Sequence, residues 1–244
     1  MAYYVYSVID SYSSIKGGYV RLHVIKTSPN NIKLTPISGT VPASGLVGVN
    51  AGFFDDKTQT VQSICIQNST TVQPGGSSVF ACGYYNNDST GHHVNKGTLV
   101  WDADWRTYRQ QIIQSAAELT IGNPDRYWAQ GGLSMHLQSD SAWNTMRSNN
   151  QELVNDQFPT SAIPRTALLY GNSLNVYLVI TTQNVTMDVF REACKGIDSS
   201  NGLQGIFLDG STATQMNVPN QFSFSGGSNR KLPAMIEVVN NVQL

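Results

Sequence analysis

A chain of 244 residues with a net charge of −1, only 13% charged and 40% hydrophobic residues can bury a sizeable core and shows no basic stripe for nucleic acid. No apolar run reaches the roughly 18 residues of a membrane span, and Met1-Ala2-Tyr3-Tyr4-Val5-Tyr6 lacks the basic region and apolar core of a signal peptide. The expectation is one domain over 1–244, made in the cytoplasm, with no nucleic-acid partner and no membrane insertion; abundant Asn, Ser, Thr and Gln beside few charges also fits a phage virion protein released by lysis.

In chain order, residues 3 to 9 and 19 to 26 read as strands, rich in aromatic and β-branched side chains and separated by Ser13-Ser14 and Gly17-Gly18. Residues 32 to 37 add a third strand after the Pro29-Asn30-Asn31 turn. These N-terminal strands, within 1–45, precede a motif-bearing part, 46–244. There, 46 to 50 and 61 to 67 are further strands flanking a loop at Phe53-Phe54-Asp55-Asp56. From Gly83 to Lys96 the chain is polar and turn-rich, and its pattern fixes no conformation. Tyr108, Ile112, Ile113, Ala116 and Leu119 predict a helix over 108–118.

Thr166 to Tyr170 and Leu174 to Ile180 straddle Gly171-Asn172 as a hairpin. Thr186 is a good N-cap for a second helix with Asp188 in its first turn, and Met187, Phe190, Ala193, Cys194 and Ile197 fall on one face. Residues 204 to 209 and 232 to 239 are the last strands. This order predicts an α+β fold, a mixed, largely antiparallel β-sheet with helices packed on one side.

Cys65, Cys82 and Cys194 are odd in number and without CxxC or Cys/His spacing, which points to small buried hydrophobes. His92-His93 near Asp88, and Asp102 near Asp104, match no recognised ligand spacing, so no cofactor is expected and no divalent cation is indicated. His136 is a further candidate to line a pocket.

The most telling stretch is Gly205-Ile206-Phe207-Leu208-Asp209-Gly210-Ser211-Thr212. An apolar strand ends there in a carboxylate, followed by a turn whose backbone N–H groups and hydroxyls can meet an anion or a sugar. An ordinary Asp-Gly turn is the alternative. Together with Val47-Gly48-Val49-Asn50-Ala51-Gly52-Phe53-Phe54-Asp55, Ala129-Gln130-Gly131-Gly132-Leu133 and Pro164-Arg165-Thr166-Ala167-Leu168, it makes the chain resemble the phosphodiester glycosidase family, which includes N-acetylglucosamine-1-phosphodiester α-N-acetylglucosaminidases and exopolysaccharide-related bacterial proteins. Where that family has three glycines after the aspartate, this chain has Gly210-Ser211-Thr212, and Phe207 stands in place of an asparagine.

The resemblance implies a hydrolase that splits a sugar-1-phosphodiester of the N-acetylglucosamine-1-phosphate type in a cell-envelope or other phosphate-linked glycan. Such cleavage passes through an oxocarbenium-like state while negative charge grows on phosphate. Asp209 is the candidate catalytic carboxylate and Arg165 the candidate phosphate ligand, because guanidinium offers bidentate donors and stays charged; a surface ion pair is the alternative for Arg165. Substrate binding falls to Asn50, Gly52, Phe53, Gly131, Gly132, Thr166, Gly210, Ser211 and Thr212. Asp55 and Asp56 are the nearest second carboxylates, or else a solvated turn. The other function class is a non-catalytic glycan-binding or virion structural module on the same fold, and assembly into a homo-oligomer or a virion stays open.

Overall fold

The computed structural model describes residues 2–72 and 94–244. Cys82, Asp88, His92 and His93 lie outside the described residues, as does most of the polar excursion from Gly83 to Lys96.

Three antiparallel sheets and one short hairpin carry the fold. The largest has six strands in the spatial order Tyr4–Ser13, Gly18–Thr27, Val176–Val185, Ile163–Tyr170, Gln204–Phe207, Leu133–Ser134. A second runs Thr107–Ile113, Lys96–Asp102, Tyr127–Gly131, Cys65–Gln67, Thr70–Thr71, and a third Phe222–Phe224, Met216–Val218, Gly48–Asn50, Leu232–Val238, Ile32–Gly39. The N-terminal strands are woven into the rest: Gly18–Thr27 pairs with Val176–Val185, and Ile32–Gly39 with Leu232–Val238.

The inner strands of the large sheet are apolar on both faces because both faces are covered. Ile25, Leu168, Leu178 and Ile180 point into a core shared with Val49, Ile236 and Met216 of the third sheet and Leu99, Trp101 and Trp128 of the second. Their neighbours of opposite parity, Val24, Ala167, Leu169, Tyr177 and Val179, meet a second core roofed by helices. Two helices make that roof. Met187–Lys195 starts as expected at Thr186, whose hydroxyl accepts from the Val189 N–H, and buries Phe190, Ala193 and Cys194. Asp140–Ser148, capped by Ser139, buries Trp143 and Met146. The Trp143 indole N–H donates to Asp188 at 2.6 Å, tying the two helices together.

Four expectations need correction. Every strand pairing among the described residues is antiparallel, so the sheet is not mixed, and the helices are minor partners of three sheets. The helix expected over 108–118 is instead strand Thr107–Ile113, followed by a 3-10 turn at Ala116–Glu118. Tyr108, Ile112 and Ala116 recur every four residues, which suits a helix but is also twice the strand period, and pairing with Lys96–Asp102 decides for the strand. The strand expected over 61–67 splits: Thr60–Val61 pairs with Phe54–Asp55 while Cys65–Gln67 joins another sheet. For the same reason Phe54 and Asp55 lie in a hairpin rather than a loop.

Among the described residues no helix is long and apolar enough to cross a membrane. Cys65 and Cys194 are both buried, and burial pushes the Cys194 pKa upward.

Candidate functional site

The strand Gln204–Phe207 is an inner strand of the large sheet, between Ile163–Tyr170 and Leu133–Ser134, and the Leu208 N–H extends its ladder by donating to the Thr166 carbonyl at 2.9 Å. Asp209 therefore leaves a rigid strand end. Its backbone carbonyl accepts from Asn50 Nδ2 at 2.9 Å, and its own Oδ1 accepts from the Gly210 N–H at 2.8 Å. Asn50 is fully buried and fully used: Nδ2 also donates to the Ala51 carbonyl, while Oδ1 accepts from the Thr166 hydroxyl and the Gln215 N–H. Asn50 and Thr166 thus hold the aspartate's backbone, and the hydrogen-bonding capacity of the Asn50 amide is spent inside the protein.

Asp209 opens onto a cavity of about 460 Å³, a size that suits a small sugar-containing ligand. Phe53, Phe54, Phe158, Ile163, Met187 and Leu208 form its apolar walls; Gln62, Lys96, Ser161, Arg165, Ser211 and Arg230 supply polar groups. Burial raises the Asp209 pKa to about 6, assisted by the charge of Asp56 and opposed by Arg230 and the Gly210 N–H. The carboxyl is thereby poised to exchange a proton near neutrality.

Arg165 lines the same cavity, but most of its fork is committed. Nε donates to the Val185 carbonyl at 3.3 Å and Nη2 to the carbonyls of Phe158 and Ser161 at 2.8 and 2.7 Å, leaving Nη1 without a protein acceptor among the described residues. Among the described residues it has no carboxylate partner, and burial lowers its pKa to about 10, so it remains a cation at neutral pH. Through Phe158 and Ser161 it clamps a segment in which Asn150, Glu152, Leu153 and Phe158 all have left-handed backbone angles. Glu152 anchors the other end of that segment by accepting from the Gly97 and Ser134 N–H groups at 2.8 and 2.9 Å.

Sequence reasoning did not single out Arg230. Its Nε pairs with Asp56 at 2.9 Å, its Nη1 donates to the Thr212 hydroxyl at 3.3 Å, and its guanidinium lies 4.6 Å from the Phe54 ring centroid. Gly226 brings it there: at φ 67° and with no Cβ, it sits against the Thr212 carbonyl, which a Cβ would approach to 2.4 Å. No local pattern marks Arg230. Lys96 was likewise passed over, although its buried ammonium lies 5.3 Å from the Phe53 ring centroid.

The remaining expected site residues divide. Phe53, Gly210 and Ser211 line the cavity, and the Ser211 hydroxyl has no protein partner among the described residues. Thr212 is held by Arg230. Gly52 and Gly132 serve close packing: a Cβ on Gly52 would lie 2.3 Å from Ser63 Oγ, and one on Gly132 would lie 2.1 Å from the Phe207 carbonyl oxygen. Gly131 closes the strand Tyr127–Gly131, and neither it nor His136 is among the cavity-lining residues. Asp55 accepts from the N–H groups of Lys57 and Thr58, which makes it a turn former. Asp102 caps its own turn, accepting from the N–H groups of Asp104 and Trp105. Among the described residues no three His, Cys, Asp or Glu side chains come together as a metal centre.

The fold is one that solved proteins share. No family model and no curated protein sequence matches the chain. Among solved structures, the catalytic domain of zebrafish N-acetylglucosamine-1-phosphodiester alpha-N-acetylglucosaminidase, auto-inhibited by its pro-peptide, aligns over 99% of this chain and 85% of its own, with a TM-score of 0.66 at 12% identity. A protein from Burkholderia pseudomallei K96243 aligns over 91% of this chain and 74% of its own, with a TM-score of 0.52 at 13% identity. A hypothetical protein from Synechocystis aligns over 96% of this chain, which spans 62% of that protein, with a TM-score of 0.50 at 11% identity. At these identities the likeness is one of fold.

Proposed function

We propose that the chain is a phosphodiester glycosidase that hydrolyses a sugar-1-phosphodiester of the N-acetylglucosamine-1-phosphate type. The observation that carries this reading is Asp209: a carboxyl fixed at a strand end, with a pKa raised to about 6, facing a cavity that Arg165 and Arg230 also line. Its setting joins a proton-exchanging group to cations that suit a phosphate. The activity for which the zebrafish enzyme of like fold is named agrees with it.

In this reading the sugar rests on the Phe53 and Phe158 side of the cavity and the phosphate faces Arg165 Nη1, Arg230 and the Ser211 hydroxyl. Asp209, ionised, takes a proton from water as the water oxygen bonds to the anomeric carbon. The bond from that carbon to the bridging oxygen breaks, its electron pair stays on the phosphate, and the products are a free sugar and a phosphomonoester. The phosphate leaves readily, so a single carboxylate suffices.

One observation favours a second reading, a glycan-binding module without turnover. Arg165 spends most of its donors on the carbonyls of Phe158, Ser161 and Val185, and Arg230 spends part of its own on Asp56 and Thr212, so both cations also serve as struts. Release of free sugar from an alkyl N-acetylglucosamine-1-phosphate and from UDP-N-acetylglucosamine separates the two. Turnover by the native protein, abolished in Asp209→Asn, supports the hydrolase; saturable binding with no product from either protein supports the module.

A further inference from the structure

Among the described residues the three larger sheets present six edges, and five of them are short or blunted. Leu133–Ser134, Thr70–Thr71 and Phe222–Phe224 are only two or three residues long. Ile32–Gly39 contains Pro36, and its Leu34 N–H is taken by the Gln67 side chain at 2.8 Å. Thr107–Ile113 carries Arg109 and is flanked by a loop whose Thr120 exchanges two hydrogen bonds with the Gln111 side chain. Such devices are how natural sheets prevent edge-to-edge association.

The sixth edge, Tyr4–Ser13, carries one charge, Asp10, and none of the other devices. It pairs over ten residues with Gly18–Thr27 without a bulge, and it contains no Pro, Lys or Arg. Among the described residues nothing hydrogen-bonds its main chain from the other side. Val5, Val8 and Tyr12 are 51%, 50% and 58% exposed, which leaves apolar side chains beside a free ladder. An edge of this kind is a template for another strand.

We propose that its occupant is Tyr4–Ser13 of a second copy of the chain, paired antiparallel about a two-fold axis perpendicular to the sheet. Such an axis keeps the sheet faces aligned, so residues meet partners of the same parity. A register centred on Val8 sets Val8 against its symmetry mate, Tyr4 opposite Tyr12, and Tyr6 opposite Asp10. The strand's one charge then faces no like charge, and Asp10 is already held by Arg21 of its own hairpin at 2.9 Å. Val8 meets its mate and Tyr12 meets Tyr4 as cross-strand pairs, the usual source of sheet stability, while Val5 faces Ser11. Gly18–Thr27, Val176–Val185 and Ile163–Tyr170 separate this edge from Gln204–Phe207, about 19 Å at the usual strand spacing, so the junction leaves the Asp209 cavity open.

Sedimentation equilibrium of the full chain and of Val8→Lys tests this, with circular dichroism melts of both as folding controls. The wild type is expected to be a dimer, and Val8→Lys, which opposes two ammonium groups across the axis at an exposed position, a folded monomer. Val8→Cys supplies an independent readout: mild oxidation should give a reducible covalent dimer that neither the wild type nor Tyr19→Cys forms. A wild type that stays monomeric at high concentration, or a dimer that persists in folded Val8→Lys while Val8→Cys fails to cross-link, overturns the proposal.

Discussion

Asn50 Nδ2 donates to the backbone carbonyl of Asp209 at 2.9 Å, across 159 positions of sequence, and so joins the third sheet to the end of the large sheet at the candidate catalytic carboxylate. With two donors and two acceptor bonds used, Asn50 is a bracket whose geometry no other side chain reproduces. Asn50→Asp keeps the shape but loses both donors and adds a buried charge. It is expected to lower stability by about 3 kcal/mol, the range for leaving buried polar groups unpaired beside a charge. Chemical denaturation checks this, and an Asn50→Asp protein as stable as the wild type would show that the bracket carries nothing.

Asp209 should be a cost to stability that the site tolerates. Its folded pKa of about 6 lies above the usual aspartate range, so between about pH 4 and pH 6 the folded state binds the proton more tightly than the unfolded one. Its contribution is therefore most favourable below about pH 4, falls as pH rises through that window, and is flat above it. Asp209→Asn removes this term and should be more stable than the wild type at pH 8 by on the order of 2 kcal/mol, with the gap closing toward pH 4. Asp10, Asp55, Asp140 and Glu192, whose pKa values are lowered, are common to both proteins and cancel in the difference. Thermal melts of the pair across pH 4 to 8 supply the measurement, and a gap independent of pH would contradict the assignment.

Ser211 occupies a left-handed conformation, φ 58°, where the family it resembles has glycine. A residue with a Cβ costs roughly 1 kcal/mol there, and a β-branched one more. Ser211→Gly should leave stability within about 1 kcal/mol of wild type, strain relief being offset by chain entropy, whereas Ser211→Val should lose about 2 kcal/mol. Equal melting temperatures for the two variants would mean that this turn tolerates any residue.

Much of the scaffold was legible because it repeats simple patterns. The hairpin about Gly171-Asn172 and the Thr186 cap are local signals, and the structure realises both. Asp209 was legible as a strand-end carboxylate and Arg165 through the family resemblance, and both line one cavity. What local sequence could not carry was partnership over distance. Arg230 reaches the site only because Gly226 packs on the Thr212 carbonyl, and the Arg165 fork is occupied by carbonyls from a segment with no periodicity. The helix Asp140–Ser148 had a readable start in Ser139-Asp140 and buried Trp143 and Met146 three residues apart, a signal short enough to pass over. The false helix at 108–118 shows the opposite error, a four-residue spacing that a strand satisfies equally well.

The two arginines should separate by what they control. Arg230 lowers the Asp209 pKa through its charge, while its own bonds are to the exposed Asp56 carboxylate and a hydroxyl. Arg230→Gln should therefore cost about 1 kcal/mol of stability or less, as for exposed ion pairs, yet move the Asp209 titration upward from about 6. Arg165→Lys keeps a cation but cannot reproduce three bonds to Val185, Phe158 and Ser161 from one ammonium on a flexible stem. It should lose about 2 kcal/mol, in the range of charge-assisted bonds to buried carbonyls, and leave the Asp209 titration in place. Carbon-13 titration of the Asp209 carboxyl in the three proteins reads the pKa without requiring turnover, and denaturant melts read the stability. A titration that moves with Arg165→Lys and not with Arg230→Gln would reverse the roles and make Arg165 the cation that tunes the carboxylate.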